Sequence, residues 1–262
     1  MDILICVKQV PDDSVEIRLD PETMLPDLSR AENQASAFET YGLEMAARYT
    51  EANGGSVTVI SMGDDSVVST VRNCLAVGAG AGYAIASDGL PGADSYVTAL
   101  ALKKAIDKIS QEREKPYDLI ILGRESTDHI DGEVGPMLAA EMGLPLITNV
   151  VDFSETESGI TAKKEMDSGY QMVEAGIPCV ITASKPNYDP RYPTIKSKMA
   201  ARKIEIPVIS FSDQETGDMV PRISYEGYID PPKRGGGVKF ADLEPEAAAD
   251  KLIEMIVNDK VL

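Results

Sequence analysis

The chain has 262 residues, 43% hydrophobic and 26% charged, enough to bury a sizeable core as one large domain or one domain plus an appendage. Its 25 basic and 43 acidic residues leave a net charge of −18, which repels a phosphate backbone and argues against nucleic-acid binding. No apolar run approaches the roughly 20 residues of a membrane span, and M-D-I-L-I-C-V opens without a basic leader, so a cytoplasmic protein is expected.

I-L-I-C-V (3–7) reads as a strand buried on both faces. From 8 to 35 the prolines Pro11, Pro21 and Pro26 interrupt short β-like pieces, which predicts a hairpin excursion. Tyr41, Met45, Tyr49 and Ala52 then share one helical face. S-V-T-V-I-S (56–61) is the next strand, followed by a helix carrying Val67, Val71 and Leu75. G-Y-A-I-A (82–86) precedes a helix over 94–113 marked by Ala99, Leu102, Ile106 and Ile109. D-L-I-I-L (118–122) and P-L-I-T-N-V-V (145–151) complete the apolar strands. Strand and helix alternating in this way predict an α/β fold, an open parallel sheet covered by helices with right-handed crossovers.

After residue 152 the pattern changes. Segments 159–166, 170–174 and 178–183 read as strands joined by tight turns, hence antiparallel additions. Beyond Pro207 the chain is rich in Pro, Gly and acids, which predicts an extended C-terminal arm over 211–262 attached to a domain over 1–210. The arm ends in a helix opened by Pro245 and carrying Ala248, Leu252, Met255 and Ile256. Such a helix is marginal alone and needs a surface, from its own domain or from a partner chain.

In an open parallel sheet, ligands sit beyond the carboxyl ends of the strands. Four loops leave such ends: the one after Val7, S-M-G-D-D (61–65), S-D-G-L-P-G-A-D (87–94), and G-R-E-S-T-D-H-I-D-G-E-V-G-P (123–136). In the last, Gly123, Ser126, Thr127, Gly132 and Gly135 suit an anion held by main-chain amides, aided by a helix starting near Gly132. The same loop carries Glu125, Asp128, Asp131 and Glu133. Asp131 suits an N-cap and Glu133 the first helical turn, while Glu125 or Asp128 could accept hydrogen bonds from ribose or an adenine amine. An acidic helix-capping loop with no ligand is the other reading. No GxGxxG and no GxxxxGK[ST] occurs. Cys6, Cys74 and Cys179 lie in apolar settings without CxxC, as small buried hydrophobes do, and a metal site is not expected. The lone His129 suits a solvated loop position or a ligand contact.

These segments together resemble the β subunits of electron-transfer flavoproteins. The resemblance runs over essentially the whole chain: I-L-I-C-V-K-Q-V-P-D, S-M-G, C-L-A-V-G-A, the 123–136 loop, A-K-K-E-M-D-S-G-Y-Q-M-V…P-C-V-I-T-A, and P-R-Y-P-T-I-K-S-K-M-A-A-R-K. It implies an adenine-nucleotide α-hydrolase-like fold related to the Rossmann class, and a heterodimer with an α subunit. By position it implies nucleotide contacts at Cys6, Ser36, Ala37, Phe38, Glu39, Met62, Gly123, Arg124, Glu125, Ser126, Thr127, Asp128, Asp131, Gly132, Glu133 and Val134, with Asp94 and Ser95 where a flavin ring could rest or, equally, a helix cap. The bound group is FAD in electron-bifurcating members and AMP in respiratory ones; E-V-G-P and V-K-Q-V-P-D resemble the former. FAD there takes electrons from NADH and splits them between ferredoxin or flavodoxin and, through the α-subunit FAD, a partner flavin dehydrogenase of acyl-CoA or lactate type. Lys185 to Lys203 holds six Lys or Arg and one acid. Within it Arg191, Tyr192, Ile195, Lys196, Lys198 and Met199 fall on the family's partner-docking segment, with Ile195 as the apolar anchor. A nucleotide-binding sensor module is the rival reading; an adenylating ligase is disfavoured, because no S-G-G-x-D is present.

Overall fold

The structure, a computed structural model, describes residues 1–12, 14–90, 92–230, 232 and 235–261. Pro91 of the 87–94 loop and Pro231, Lys233 and Arg234 of the arm lie outside the described residues.

Strand β1 (Asp2–Cys6) is followed by β2 (Gln9–Pro11), β3 (Arg18–Leu19), β4 (Pro26–Asp27) and β5 (Asn33–Ala35). Antiparallel pairing of β2 with β5 and of β3 with β4 makes the expected hairpin excursion. Helix α1 (Ala37–Asn53), β6 (Ser56–Gly63), α2 (Val67–Leu75), β7 (Ala81–Ala86), α3 (Ser95–Glu112) and β8 (Leu119–Gly123) alternate as the periodicity predicts. Next come α4 (Val134–Met142), β9 (Leu146–Thr156), β10 (Gly159–Met166), β11 (Gly169–Gly176) and β12 (Cys179–Ala183). The remaining elements are α5 (Ile195–Ala201), β13 (Val208–Ile209), the one-turn α6 (Asp213–Thr216) and α7 (Pro245–Asn258).

Nine strands form one sheet in the order β11-β10-β9-β12-β8-β1-β6-β7-β13. From β9 to β13 neighbours are parallel, and antiparallel pairing is confined to β9–β10 and β10–β11. Side chains alternate across β1: Ile3 and Ile5 join the core under α1, whereas Leu4 and Cys6 join the core under α3 and α4. That double burial is why the strand reads as an unbroken apolar run. From β1 the chain steps outward through β6 to β7 and then crosses back through α3 to β8 on the other side of β1, and this reversal opens a crevice at the carboxyl ends of β1, β6 and β8.

The expected face of α1 is broader than a single stripe. Met45 and Tyr49 are buried with Leu43, Ala46 and Ala47, but Ala52 is exposed where the helix runs past the sheet. Beyond Pro207 the chain first adds β13 in parallel to β7 and buries Met219 against Leu90, Val97 and Ala101. No residue of α7 is buried, and Leu252, Ile253 and Val257 lie open to solvent.

Candidate functional site

The crevice is a cleft of about 370 Å³ bordered by the ends of β1, β6 and β8 and the first turns of α1, α3 and α4. Of the expected residues, Cys6, Glu39, Met62, Asp94, Ser95, Gly123, Arg124, Glu125, Ser126, Asp128, Asp131, Gly132, Glu133 and Val134 line it. Ser36, Ala37, Phe38 and Thr127 do not: Ser36 is wholly buried behind Glu39, Ala37 and Thr127 are exposed, and Phe38 carries the Arg124 guanidinium 4.8 Å above its ring. The 61–65 loop also divides. Met62 faces the cleft, but Asp64 and Asp65 turn to a separate hollow against β7 and β13.

Local sequence explains the walls. A Cβ on Gly123 would lie 2.8 Å from the Glu39 carboxyl carbon and 2.9 Å from the Phe38 Cβ, so only glycine lets β8 end this close to α1. A Cβ on Gly135 would lie 2.6 Å from the Thr182 methyl, so α4 seats directly on β12. Asp131 does not cap α4. Ile130 and Gly132 both adopt left-handed φ, 60° and 67°, which carries the loop two residues further. The helix begins at Val134, with Glu133 at the N-cap making no side-chain cap bond. The first-turn N–H groups therefore keep their positive end toward the cleft. Asp94 does cap α3, accepting from the Val97 N–H at 2.9 Å.

Two of the four loop acids are matched by cations, while Asp131 and Glu133 line the cleft without an ion pair among the described residues. Lys8 reaches both carboxylate oxygens of Asp128 at 2.8 Å and lies 3.4 Å from the Ser126 hydroxyl. Burial alone would raise the Asp128 carboxyl, but the Lys8 and Ser126 hydrogen bonds outweigh it and hold the group below the usual carboxylate range. Arg124 pairs with Glu125 at 2.9 Å. Glu39 is 6% exposed, and burial pushes it up to about 7 against weaker opposing pulls from Ser36 and Lys8. Its Oε2 and the Ser36 hydroxyl make no hydrogen bond within the described residues. Of the two, Glu39 lines the cleft and brings an unpartnered carboxyl oxygen to its glycine wall.

Comparison with known proteins bears on what that ligand site belongs to. The electron transfer flavoprotein domain matches residues 27–214 of the chain. The electron transfer flavoprotein subunit beta of Megasphaera elsdenii is 32% identical over the full length of both chains. The chain belongs to the electron-transfer flavoprotein family, as a β subunit. The subunit beta of Thermoanaerobacterium thermosaccharolyticum is 35% identical over 82% of this chain and 80% of its own. A 28% identical relative, matched end to end on both chains, is the caffeyl-CoA reductase–Etf complex subunit CarD of Acetobacterium woodii.

Several cleft residues of this electron-transfer flavoprotein subunit escaped sequence reasoning. Lys8 sits just past the strand and carried no pattern of its own, although a lysine near four acids is the natural counter-charge. His129, for which a ligand contact was one of the two expected readings, lines the cleft with its ring edge-on to Tyr225 at 5.8 Å. Tyr225 itself comes from the C-terminal region, about a hundred residues away in sequence, and no local signal links the two.

On the other face of the sheet, the 185–203 segment packs across α1. Arg191 forks to Glu44 at 2.8 Å and also pairs with Glu51, and Arg48 meets Glu44 at 2.8 Å while stacking 3.9 Å over Tyr188. Arg191 is thus a structural clamp and not a free rim charge. Tyr192 and Ile195 stand 91% and 82% exposed, and Met199 is exposed one turn along α5. Thr194 caps that helix through a capping box with Ser197. Lys196 and Lys198 lie on the same short helix, and neither forms an ion pair among the described residues.

Proposed function

We propose that this subunit pairs with an electron-transfer flavoprotein α subunit and holds FAD in the cleft, accepting electrons from NADH. One electron of each pair passes to ferredoxin or flavodoxin, the other through the α-subunit FAD to a partner flavin dehydrogenase. The observation that carries the reading is the unpartnered Glu39 Oε2 at a cleft where Asp128 and Glu125 are already paired with Lys8 and Arg124. An adenine nucleotide suits that donor set. Amides of the α4 first turn suit its phosphates, and the carboxylates at the rim suit hydroxyls and amines, which donate. Glu39, held near neutrality, can either accept or donate a hydrogen bond at pH 7.

Bound flavin supplies both two-electron and one-electron transfer; the protein's part is to hold, orient and shield it. The end-to-end likeness to the Megasphaera and Acetobacterium subunits supports the bifurcating type, and the CarD name supports a partner acting on CoA thioesters. The complex reconstituted with its α subunit is expected to couple NADH oxidation to ferredoxin reduction when a dehydrogenase and its acceptor are supplied. No oxidation of NADH by the complex, together with AMP released from this chain, would instead establish the AMP-holding type.

Ile195, with Tyr192 and Met199 beside it and Lys196 and Lys198 around it, has the form of a small apolar anchor with a basic rim. It suits a hydrophobic pocket edged by acids on the dehydrogenase. Ile195→Ala is expected to raise the KM for the dehydrogenase about tenfold and leave the nucleotide content unchanged. Transfer kinetics equal to the parent's would remove this assignment.

A further inference from the structure

Residues 219–225 cross the opening turn of α3 as a strap. Met219 is buried against Leu90, Val97 and Ala101. Asp94, 6% exposed, uses one carboxylate oxygen to cap α3 and the other to accept from the main-chain N–H groups of Arg222 and Ile223, the latter at 3.1 Å. The Arg222 guanidinium lies 5.0 Å over the Tyr96 ring at the same helix end. Burial alone would raise Asp94, but these amide hydrogen bonds outweigh it and hold the carboxyl below its usual range. A cap needs only one oxygen, so the second is a dedicated tether to chain 128 residues away. Two residues beyond the tether, Tyr225 lines the cleft and meets the His129 ring.

We propose that Tyr225 is a ligand-contacting wall of the cleft, mounted by a strap that Asp94 pins, so that the C-terminal region completes the site. Its ligand is a planar heteroaromatic ring, which an aromatic side chain at a cleft mouth can take by stacking or edge contact. Asp94 is then a positioning residue whose carboxylate is saturated by main-chain amides and is not free to hydrogen-bond the ligand. This inference rests on the reading that the cleft holds an adenine nucleotide.

Asp94→Asn separates the two duties. Asparagine caps a helix as well as aspartate does, but its amide would present N–H to the N–H groups of residues 222 and 223. In the complex with the α subunit, two quantities are read: the rate at which this chain's nucleotide is lost on dilution, and the rate of tryptic cleavage after Arg222. Tyr225→Ala is expected to release nucleotide roughly tenfold faster, with Arg222 as protected as in the parent. Asp94→Asn is expected to speed both release and cleavage, and the double variant to release no faster than the faster single one. Tyr228→Ala, outside the cleft, and release of the α-subunit FAD serve as unchanged controls. Faster cleavage in Asp94→Asn with parental release from both single variants would overturn the proposal, leaving a strap that touches no ligand. A parental complex with no nucleotide in this chain would overturn the underlying reading, and the proposal with it.

Discussion

Glu39 enters the cleft from the first turn of α1 with one oxygen unpartnered, and burial raises its carboxyl to about 7 from the usual 4.5. The folded-state value lies above the unfolded one, so the proton-bound form favours the fold. That stabilisation is complete below about 4.5 and lost as the pH rises through about 7. The difference amounts to something on the order of 3 kcal/mol. Glu39→Gln in the nucleotide-free chain should therefore raise the melting temperature at pH 8 and leave it nearly unchanged at pH 5. An equal shift at both values would show that the carboxyl is ionised in the fold throughout. In the sequence Glu39 stands out only through the family resemblance, which places it among the nucleotide contacts. What sets its chemistry is the depth of the sheet edge above it and Gly123 facing it, neither of which is local in the chain.

Helix α1 joins the two functional regions. Its first turn borders the cleft through Glu39, and its flank carries Glu44 and Glu51, which hold Arg191 at the head of the proposed docking segment. Glu44 is 4% exposed, and its hydrogen bonds to Arg191 and Arg48 outweigh the effect of burial and lower its carboxyl. Arg191→Ala should cost about 2 kcal/mol of stability and loosen α5, raising the KM for the dehydrogenase while nucleotide content stays constant. Arg191→Lys should recover only part of this, because an ammonium cannot fork to two carboxylates. Full recovery by lysine, measured by denaturant midpoint, would mean that only the charge matters. Elements with strong periodicity were legible: β1, β6 and β8 are buried on both faces, and α2 and α3 show the apolar positions expected of them. The expectation for 178–183 was wrong in direction: β12 is not an antiparallel addition but lies inside the sheet, parallel to β8 and β9, because the β10–β11 hairpin returns the chain to the sheet's own direction. The start of α4 was misplaced, because Asp131 and Gly132 have the composition of a cap while Ile130 and Gly132 have the backbone of a continuing loop. Two-residue β13 and the polar strap leave no period to read.

Taken as one body, the molecule pairs a net charge of −18 with a basic, apolar-tipped segment over 185–203. Several of its acids are spent locally: Asp128 on Lys8, Glu125 on Arg124, Glu44 on Arg191 and Asp94 on main-chain amides. No group of acids, His or Cys among the described residues could hold a metal. The helix α7, with its apolar residues uncovered, is the part of the chain that most needs a partner surface. The decisive measurement is the adenine and flavin content of the heterodimer after denaturation, for the parent and for Gly123→Ala. The account predicts two adenine-containing molecules per parental heterodimer, both FAD, and one in the variant, whose added methyl drives into Glu39 and Phe38. A single adenine-containing molecule per parental heterodimer would contradict it.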